Sequence, residues 1–280
     1  MSNLGKPTTL KRLFQRKVAV VASIVLATIV TLAILSPWII NDPNAIVGAD
    51  RLLPPSAKYW FGTDNFGRDA FARVVVGAKS SMFVGAITAL VATTIGTFVA
   101  IICSMFPKID LILMRLVDGI MGFPILVLAL SMLAILGPGL QTVVLCLIIV
   151  MFPGVTRIVR STALVVAESP MIESARAIGA SSWRIMRKYI MPACVTPILI
   201  QAAIIFTVAI LVESGLSFIG AGLPPEVPSW GDSLATARNF LDTAWWLWLF
   251  PGLALVSVVL SVNLIVDALR DIFDPRESVN

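Results

Sequence analysis

Six long apolar runs constrain this chain more than any other feature of its sequence. They span Val18–Ile40, Ser81–Phe106, Leu111–Leu136, Leu140–Val155, Ile198–Ile219 and Trp245–Val266. A helix that crosses a bilayer needs about 20 predominantly apolar residues, and most of these runs reach that length. Hydrophobic residues make up 58% of the chain and charged residues 13%, which leaves more apolar surface than one water-soluble core can bury. We therefore predict an all-α integral membrane protein with six transmembrane helices.

The Lys and Arg residues predict how these helices are oriented, because short cytoplasmic loops are enriched in them. With the N-terminus in the cytoplasm, six of the 21 basic residues lie on the outer side, and the rest lie on the cytoplasmic side. The six are Arg51, Lys58, Arg68, Arg73, Lys79 and Arg238. An even number of spans returns the C-terminus to the cytoplasm.

This topology predicts the division of the chain into segments. We expect a cytoplasmic tail at 1–17, a first transmembrane helix at 18–40, an outer loop at 41–80, a transmembrane domain of five helices at 81–268 with a cytoplasmic loop at 156–197, and a second cytoplasmic tail at 269–280.

The absence of histidine excludes several kinds of site. Without imidazole, the chain has no Ser-His-Asp triad and no His-ligated zinc or haem. Cys103, Cys146 and Cys194 are too scattered for a CxxC metal site or a disulfide framework. The sequence also lacks the G-x-x-x-x-G-K-[ST] phosphate loop, so we expect no ATP hydrolysis by this chain. No catalytic residue, metal, cofactor or nucleic-acid partner is expected.

The cytoplasmic segment 166–197 predicts a helix–glycine–helix elbow. Ser169 is a candidate N-cap, and Pro170 suits the first helical position. An apolar face is predicted from the helical spacing of Met171, Ala175 and Ile178. Gly179 suits the left-handed conformation that ends many helices.

A second short helix is expected after Ala180-Ser181-Ser182, which offers a new cap, and we expect Pro192 to end it. Its predicted apolar face carries Trp183, Met186 and Ile190. Its basic face carries Arg184, Arg187 and Lys188. These features allow two interpretations: an amphipathic elbow that rests on the membrane, or a surface that docks another protein.

The motif Glu173-Ser174-Ala175-Arg176-Ala177-Ile178-Gly179 resembles the "EAA" signature of ATP-binding-cassette importer permeases. The resemblance implies a type I importer fold in which the elbow is the coupling helix, docked in a groove of an ATPase subunit. It implies coupling roles for Glu173, Ser174, Ala175, Gly179, Ile190 and Pro192. Ser174 stands where the signature usually has Ala, and it is still small enough for close approach to a partner.

Further stretches are similar, in order, to the second (C-type) permease subunit of dipeptide, oligopeptide and nickel importers. They are Phe61–Asp69, Met114–Asp118, Phe123-Pro124, Glu213–Gly220, Pro228–Gly231, Asp267–Asp271 and Asp274–Arg276. Tyr59-Trp60 stands where the family often has His-Pro or His-Trp, so no His-dependent metal role is expected there.

This resemblance implies a multi-pass permease of the bacterial inner membrane that imports di- or oligopeptides, with nickel or a nickel chelate as the alternative. It implies three kinds of partner: a second homologous permease that completes a heterodimer, two ATP-binding subunits in the cytoplasm, and an external solute-binding protein.

Charged residues and a proline within the apolar runs lead to separate expectations. A charge at mid-bilayer costs about 2.5–3.5 kcal/mol, so Glu213 either lines the translocation path at the permease dimer interface or pairs with a neighbouring helix. Asp118 follows Arg115 by three residues, which predicts a local ion pair. Pro124 predicts a kink.

The outer motif comprises Gly62, Thr63, Asp64, Gly67, Arg68 and Asp69. Two interpretations remain open for it: a tight turn held by its own Asp–Arg pair, or a docking surface for the external binding protein.

Two other function classes are less consistent with the sequence than the importer. A stand-alone channel or proton-coupled carrier would carry several ionisable residues in its spans, whereas these spans offer little beyond Glu213 and Asp118. An intramembrane enzyme would need catalytic groups clustered at one depth, which the sequence lacks.

Overall fold

The structure, a computed structural model, describes residues 16–273, with side chains from Arg16 to Arg270, and helices dominate it. The α-helices are α1 (Lys17–Ile39), α2 (Ala70–Met105), α3 (Pro107–Met121), α4 (Ile125–Leu136), α5 (Leu140–Ala167), α6 (Pro170–Ala177), α7 (Ser182–Ile185), α8 (Met191–Phe218), α9 (Trp230–Ala237) and α10 (Trp246–Phe273). Short 3-10 turns occur at Gly48–Asp50 and Arg238–Phe240, and a π turn at Met186–Ile190 joins α7 to α8.

Five helices of the described chain are long and apolar enough to cross a bilayer. They are α1, α2, α5, α10 and the continuous helix from Ser182 to Phe218. The pair α3–α4 becomes a sixth span if its two halves are counted together, and these halves are bent by 89°. Pro124 lies at the break, as the sequence predicts, because proline lacks the N–H and its ring disrupts a helix.

Several helices extend beyond the apolar runs that predict them. Helix α2 begins at Ala70 rather than Ser81, so the expected outer loop 41–80 contains its first turns. Helix α5 continues past Val155 to Ala167, and α8 begins at Met191, inside the expected loop 156–197. Hydropathy marks only the part of a helix that needs apolar surroundings, whereas a helix can continue into water. The expected tails lie almost wholly outside the described residues.

One compact unit contains the described residues up to Gly85, Pro138–Leu140, and the residues from Ile210 onward. In this unit α10 packs against both α1 and α9. The rings of Phe61 and Phe250 stack with their centroids 3.9 Å apart. Its small core comprises Ala70, Ala237, Ala244, Trp246 and Leu247.

The other compact unit contains Ala86–Gly137 and Gln141–Ala209. Gly96 of α2 lies against α5, where an added Cβ would be 2.6 Å from the Cβ of Val155. A small residue at such a point lets two membrane helices approach closely.

Two ion pairs join α5 to α3 within this second unit. Arg160 bonds to Asp110, and Arg157 Nη2 lies 2.5 Å from Asp118 Oδ1. Asp118 is therefore paired with Arg157 of another helix instead of with Arg115 of its own, because α5 presents both arginines towards the acidic residues of α3.

Candidate functional site

The elbow between α5 and α8 is built around a left-handed glycine. Gly179 has a φ of +81°, and its N–H donates to the carbonyl of Arg176 at 3.0 Å. The N–H of Ala180 donates to the carbonyl of Ala175, also at 3.0 Å. These two bonds form the Schellman motif that closes a helix. The expected role of Gly179 in ending the first helix of the elbow is confirmed.

The two candidate caps behave differently. Ser181 Oγ accepts the N–H of Arg184 at 3.4 Å and so caps α7. Ser169 occupies the N-cap position of α6 in an extended conformation, but its Oγ donates to the carbonyl of Val166 at 2.7 Å. The start of α6 therefore depends on Pro170, whose fixed φ suits a first helical position.

The expectation that Pro192 ends the second helix of the elbow is wrong. The chain passes from α7 through the π turn into α8, and Pro192 is the second residue of α8. A π turn widens the helix locally, so the missing N–H and the ring of Pro192 are accommodated directly after it.

The elbow buries only part of the predicted apolar face. Ile172 and Ala175 are buried, whereas Met171 is exposed and Ile178 is 87% exposed. The exposed residues of α6 and its end are Pro170, Met171, Glu173, Ser174, Arg176, Ala177, Ile178 and Gly179. We call this surface the elbow tip.

The second part of the elbow shows the same division. Ile185 and Ile190 are fully buried, whereas Trp183 is 67% exposed. The spacing of apolar residues identified the helices but did not identify which apolar residues face the interior.

The structure separates the six residues that the "EAA" resemblance implied. Glu173, Ser174, Gly179 and Pro192 are exposed, whereas Ala175 and Ile190 are buried. The exposed residues are accessible to a partner, and the buried ones hold the elbow against the rest of the chain.

Glu213 lies in α8, and no part of it is exposed. Its carboxylate accepts hydrogen bonds from Ser217 Oγ at 2.8 Å and from the Oγ atoms of Ser81 and Ser214 at 3.4 Å each. Ser81 belongs to α2, so the carboxylate is bonded to a neighbouring helix, which is the second of the two alternatives. A role in lining the translocation path stays a prediction.

The same serines also bind the loop that follows α8. Ser81 Oγ accepts the N–H of Trp230 at 3.2 Å, and Ser217 Oγ accepts the N–H of Leu223 at 3.3 Å. A Cβ on Gly231 would lie 2.7 Å from Ser217 Cβ, so glycine permits this close approach. The Glu213 cluster thus holds α2, α8 and the loop together.

The outer motif 62–69 forms a tight turn held by its own ion pair. Asp64 Oδ2 lies 2.6 Å from Arg68 Nε. Asp64 Oδ1 accepts the N–H groups of Phe66 and Arg68 at 2.8 and 3.0 Å. Gly67 has a φ of +79°, and an added Cβ would overlap the carbonyl of Val47. This geometry is that of the first of the two interpretations.

The turn is also tied to its surroundings. Thr63 Oγ1 donates to the carbonyl of Asp50 at 2.5 Å and accepts the N–H of Leu53 at 2.8 Å. The indole N–H of Trp246 donates to the carbonyl of Thr63 at 3.1 Å. Thr63, Asp64 and Arg68 are buried, so they offer little surface to an external protein.

Asp69 connects this turn to α2. Its Oδ1 accepts the N–H of Phe71 at 2.9 Å, as expected at the start of a helix. Burial raises the pKa of Asp69, and the hydrogen bonds from Phe71 and Ala72 act in the opposite direction.

A second buried ion pair was not predicted from the sequence. Arg73 Nη2 lies 2.5 Å from Asp232 Oδ2, and Arg73 Nη1 donates to Asn44 Oδ1 at 2.7 Å. Burial raises the pKa of Asp232, and Arg73 acts against this shift. Arg73 and Asp232 are far apart in the sequence, so no local spacing predicts the pair. The sequence indicated only that an arginine close to an apolar run needs a partner.

Two family profiles match most of the chain. Residues 92–279 match the binding-protein-dependent transport system inner membrane component. Residues 8–55 match the N-terminal transmembrane domain of oligopeptide transport permease C.

Curated relatives are similar over almost their whole length. A putative peptide transport system permease protein of Brucella suis biovar 1 is 40% identical, covering 100% of this chain and 96% of the relative. A dipeptide transport system permease protein of Alkalihalophilus pseudofirmus is 38% identical, and the similarity covers 95% of this chain and 88% of the relative. A probable D,D-dipeptide transport system permease protein of Escherichia coli is 36% identical, and the similarity covers 92% of this chain and 87% of the relative.

Solved structures support the same fold. A chain of the MetNI methionine ABC transporter in an inward-facing conformation superposes with a TM-score of 0.62 and 18% identity, covering 73% of this chain and 98% of that one. The chain therefore has the fold of type I importer permeases, and it belongs to the family of binding-protein-dependent transport system inner membrane components, as a multi-pass permease subunit of the bacterial inner membrane.

Proposed function

We propose that this chain is the C-type permease subunit of an importer of di- and oligopeptides. It pairs with a second homologous permease to form the translocation path. Two ATP-binding subunits in the cytoplasm drive it, and a solute-binding protein on the outer side delivers the peptide.

The elbow tip is the single observation that carries the coupling role. Ile178 is 87% exposed, with Met171 exposed on the same short helix. Neighbouring exposed apolar residues among charged ones mark protein contact surfaces. The Schellman closure at Gly179 fixes the angle between the two parts of the elbow, so a push on α6 is passed to α5 and α8 as a rigid movement.

The names of the relatives support peptide as the substrate. The three described above are named as peptide or dipeptide permeases, so nickel is not favoured. A stand-alone channel or carrier does not agree with membership of a binding-protein-dependent family.

The test uses the transporter reconstituted with its partner subunits and binding protein. In Ile178→Asp we expect peptide-stimulated ATP hydrolysis and uptake of a labelled dipeptide to fall at least about tenfold, because a charge replaces the exposed apolar contact. Ile109→Asp, which adds the same charge near the start of α3, is the control and is expected to retain both activities. Wild-type rates in Ile178→Asp would contradict the coupling role, and uptake of Ni²⁺ without peptide uptake would contradict the substrate.

A further inference from the structure

A cavity of about 650 Å³ lies between α2 and the helical segment formed by α7, the π turn and α8, within the second compact unit. Its volume falls in the range of roughly 300–1,000 Å³ that is typical of ligand pockets. Its lining is mostly apolar and includes Leu90, Phe98, Ile101, Ile102, Met191 and Ile198. Two polar groups in the lining, from Thr97 and Arg187, indicate what fills it.

Thr97 carries a buried hydroxyl that is not bonded within the described part of the chain. The residue is 5% exposed, and its Oγ1 has no hydrogen-bond partner there. Two other threonines of α2 line the same cavity, and each donates to a carbonyl one turn earlier: Thr93 to Ala89, and Thr94 to Leu90 at 2.7 Å. A hydroxyl in apolar surroundings normally makes such a bond. The Oγ1 atom of Thr97 is itself buried, so a rotation about χ1 has to turn it into the cavity before a ligand can accept its hydrogen bond.

The cavity is basic at one end. Arg187 lines it, and the exposed indole of Trp183 lies beside this end. Basic pockets between membrane helices on the cytoplasmic side bind anionic lipid headgroups. Tryptophan is enriched at the same depth, where headgroups meet acyl chains. The basic end of the cavity thus corresponds to the headgroup of a phospholipid, and its apolar part corresponds to an acyl chain.

We propose that this cavity binds one anionic phospholipid of the cytoplasmic leaflet. One of its two acyl chains lies among the apolar side chains, an ester oxygen accepts the hydrogen bond of Thr97 once that side chain has turned, and the phosphate lies against Arg187. The leaflet rests on the orientation in the proposed function, in which the elbow is cytoplasmic.

The first test counts lipids on the full transporter, purified with its partner subunits from vesicles of phosphatidylcholine and phosphatidylglycerol. Native mass spectrometry is expected to show retained phosphatidylglycerol on the wild type. Arg187→Gln should retain about fivefold less, as expected for one basic residue near an anionic lipid. Arg184→Gln removes the same charge from a residue that does not line the cavity, and it should retain the wild-type amount. Equal losses in both variants would overturn the proposal.

A second pair of variants tests the hydroxyl. Thr97→Val should lower lipid retention, whereas Thr94→Val, which removes a hydroxyl that is already bonded, should not. Equal retention in Thr97→Val and the wild type would overturn the role of Thr97 in the site.

A crosslinking experiment identifies the occupant directly. Phe98→p-benzoylphenylalanine places a photoreactive group at the cavity. A phospholipid adduct supports the site, and an adduct with the second permease overturns it. Dipeptide uptake is measured on the same preparations. Retained lipid without uptake would reject the proposed function and leave the site intact, whereas uptake without retained lipid would reject the site alone.

Discussion

At the scale of single residues, the buried charged side chains in the described part of the chain are bonded to specific partners. Asp64 is bonded to Arg68, Arg73 to Asp232, and Glu213 to a set of hydroxyls. Burying an ionised group without such partners is costly. The sequence suggested the first pair, because its members are four residues apart. It did not suggest the second, because only the fold brings residues from distant segments together.

The hydroxyl cluster around Glu213 leads to a prediction about charge. Glu213→Gln keeps an acceptor oxygen for the serines, so we expect normal uptake and a stability loss of about 1 kcal/mol. Glu213→Leu leaves several buried hydroxyls without an acceptor and should cost about 3 kcal/mol or more. Thermal unfolding of the purified transporter and dipeptide uptake measure the two effects. Loss of uptake in a stable Glu213→Gln protein would instead support a role in the translocation path.

The Arg73–Asp232 pair leads to a second prediction at this scale. Arg73→Met leaves a buried carboxylate unpaired and should destabilise the protein by about 3–5 kcal/mol. The double variant Arg73→Met with Asp232→Leu removes both charges and should recover most of that loss. Thermal unfolding measures both, with the exposed Arg51→Met as a control. Equal stability of the single and double variants would show that the pair is not coupled.

At the scale of elements, turn and cap residues predicted some helix ends correctly and others wrongly. Gly179 and Ser181 act as expected, since their effect depends on the local backbone alone. Met171 and Ile178 of the predicted apolar face are exposed, whereas Ala175 of the same face is buried, because burial depends on which helices lie alongside. The prediction that Pro192 ends a helix is wrong, because the sequence did not reveal the π turn that precedes it.

The backbone at Gly179 leads to a prediction about coupling. An added Cβ would meet no atom within 4 Å, so only the positive φ restricts this position. A residue other than glycine pays roughly 1–2 kcal/mol there, and asparagine tolerates the conformation best. Gly179→Val should therefore insert normally but lose transport, whereas Gly179→Asn should retain most of it. Uptake, normalised to the amount of protein in the membrane, tests this, and wild-type uptake in Gly179→Val would contradict it.

At the scale of the whole molecule, the apolar runs predicted the spans, and the orientation taken from the basic residues stays a prediction. The membrane-spanning helices of the structure overlap the apolar runs. A segment that must avoid water can be recognised from its composition alone. The ion pairs between distant segments, such as Arg157 with Asp118, were not readable, since they join residues that only tertiary packing brings close.

The proposed orientation is testable with thiol labelling. All three native cysteines are buried, so a membrane-impermeant maleimide should label the wild type weakly. Ala57→Cys replaces an exposed residue of the outer segment and should be labelled on intact spheroplasts. Ser174→Cys lies on the elbow tip and should react only after the membrane is opened. Labelling of Ser174→Cys from outside would reverse the topology and reject the coupling role.

The right-angled break between α3 and α4 has a consequence for assembly. The first N–H groups of α4 have no intrahelical partner, and Met121, Phe123, Leu126 and Val127 around the break are exposed in this chain. Hydrocarbon cannot supply hydrogen bonds to such backbone, which is tolerated at membrane depth only beneath protein or beside water. We therefore expect protein of the proposed partner permease, or water, to lie against this break in the assembled transporter in place of acyl chains.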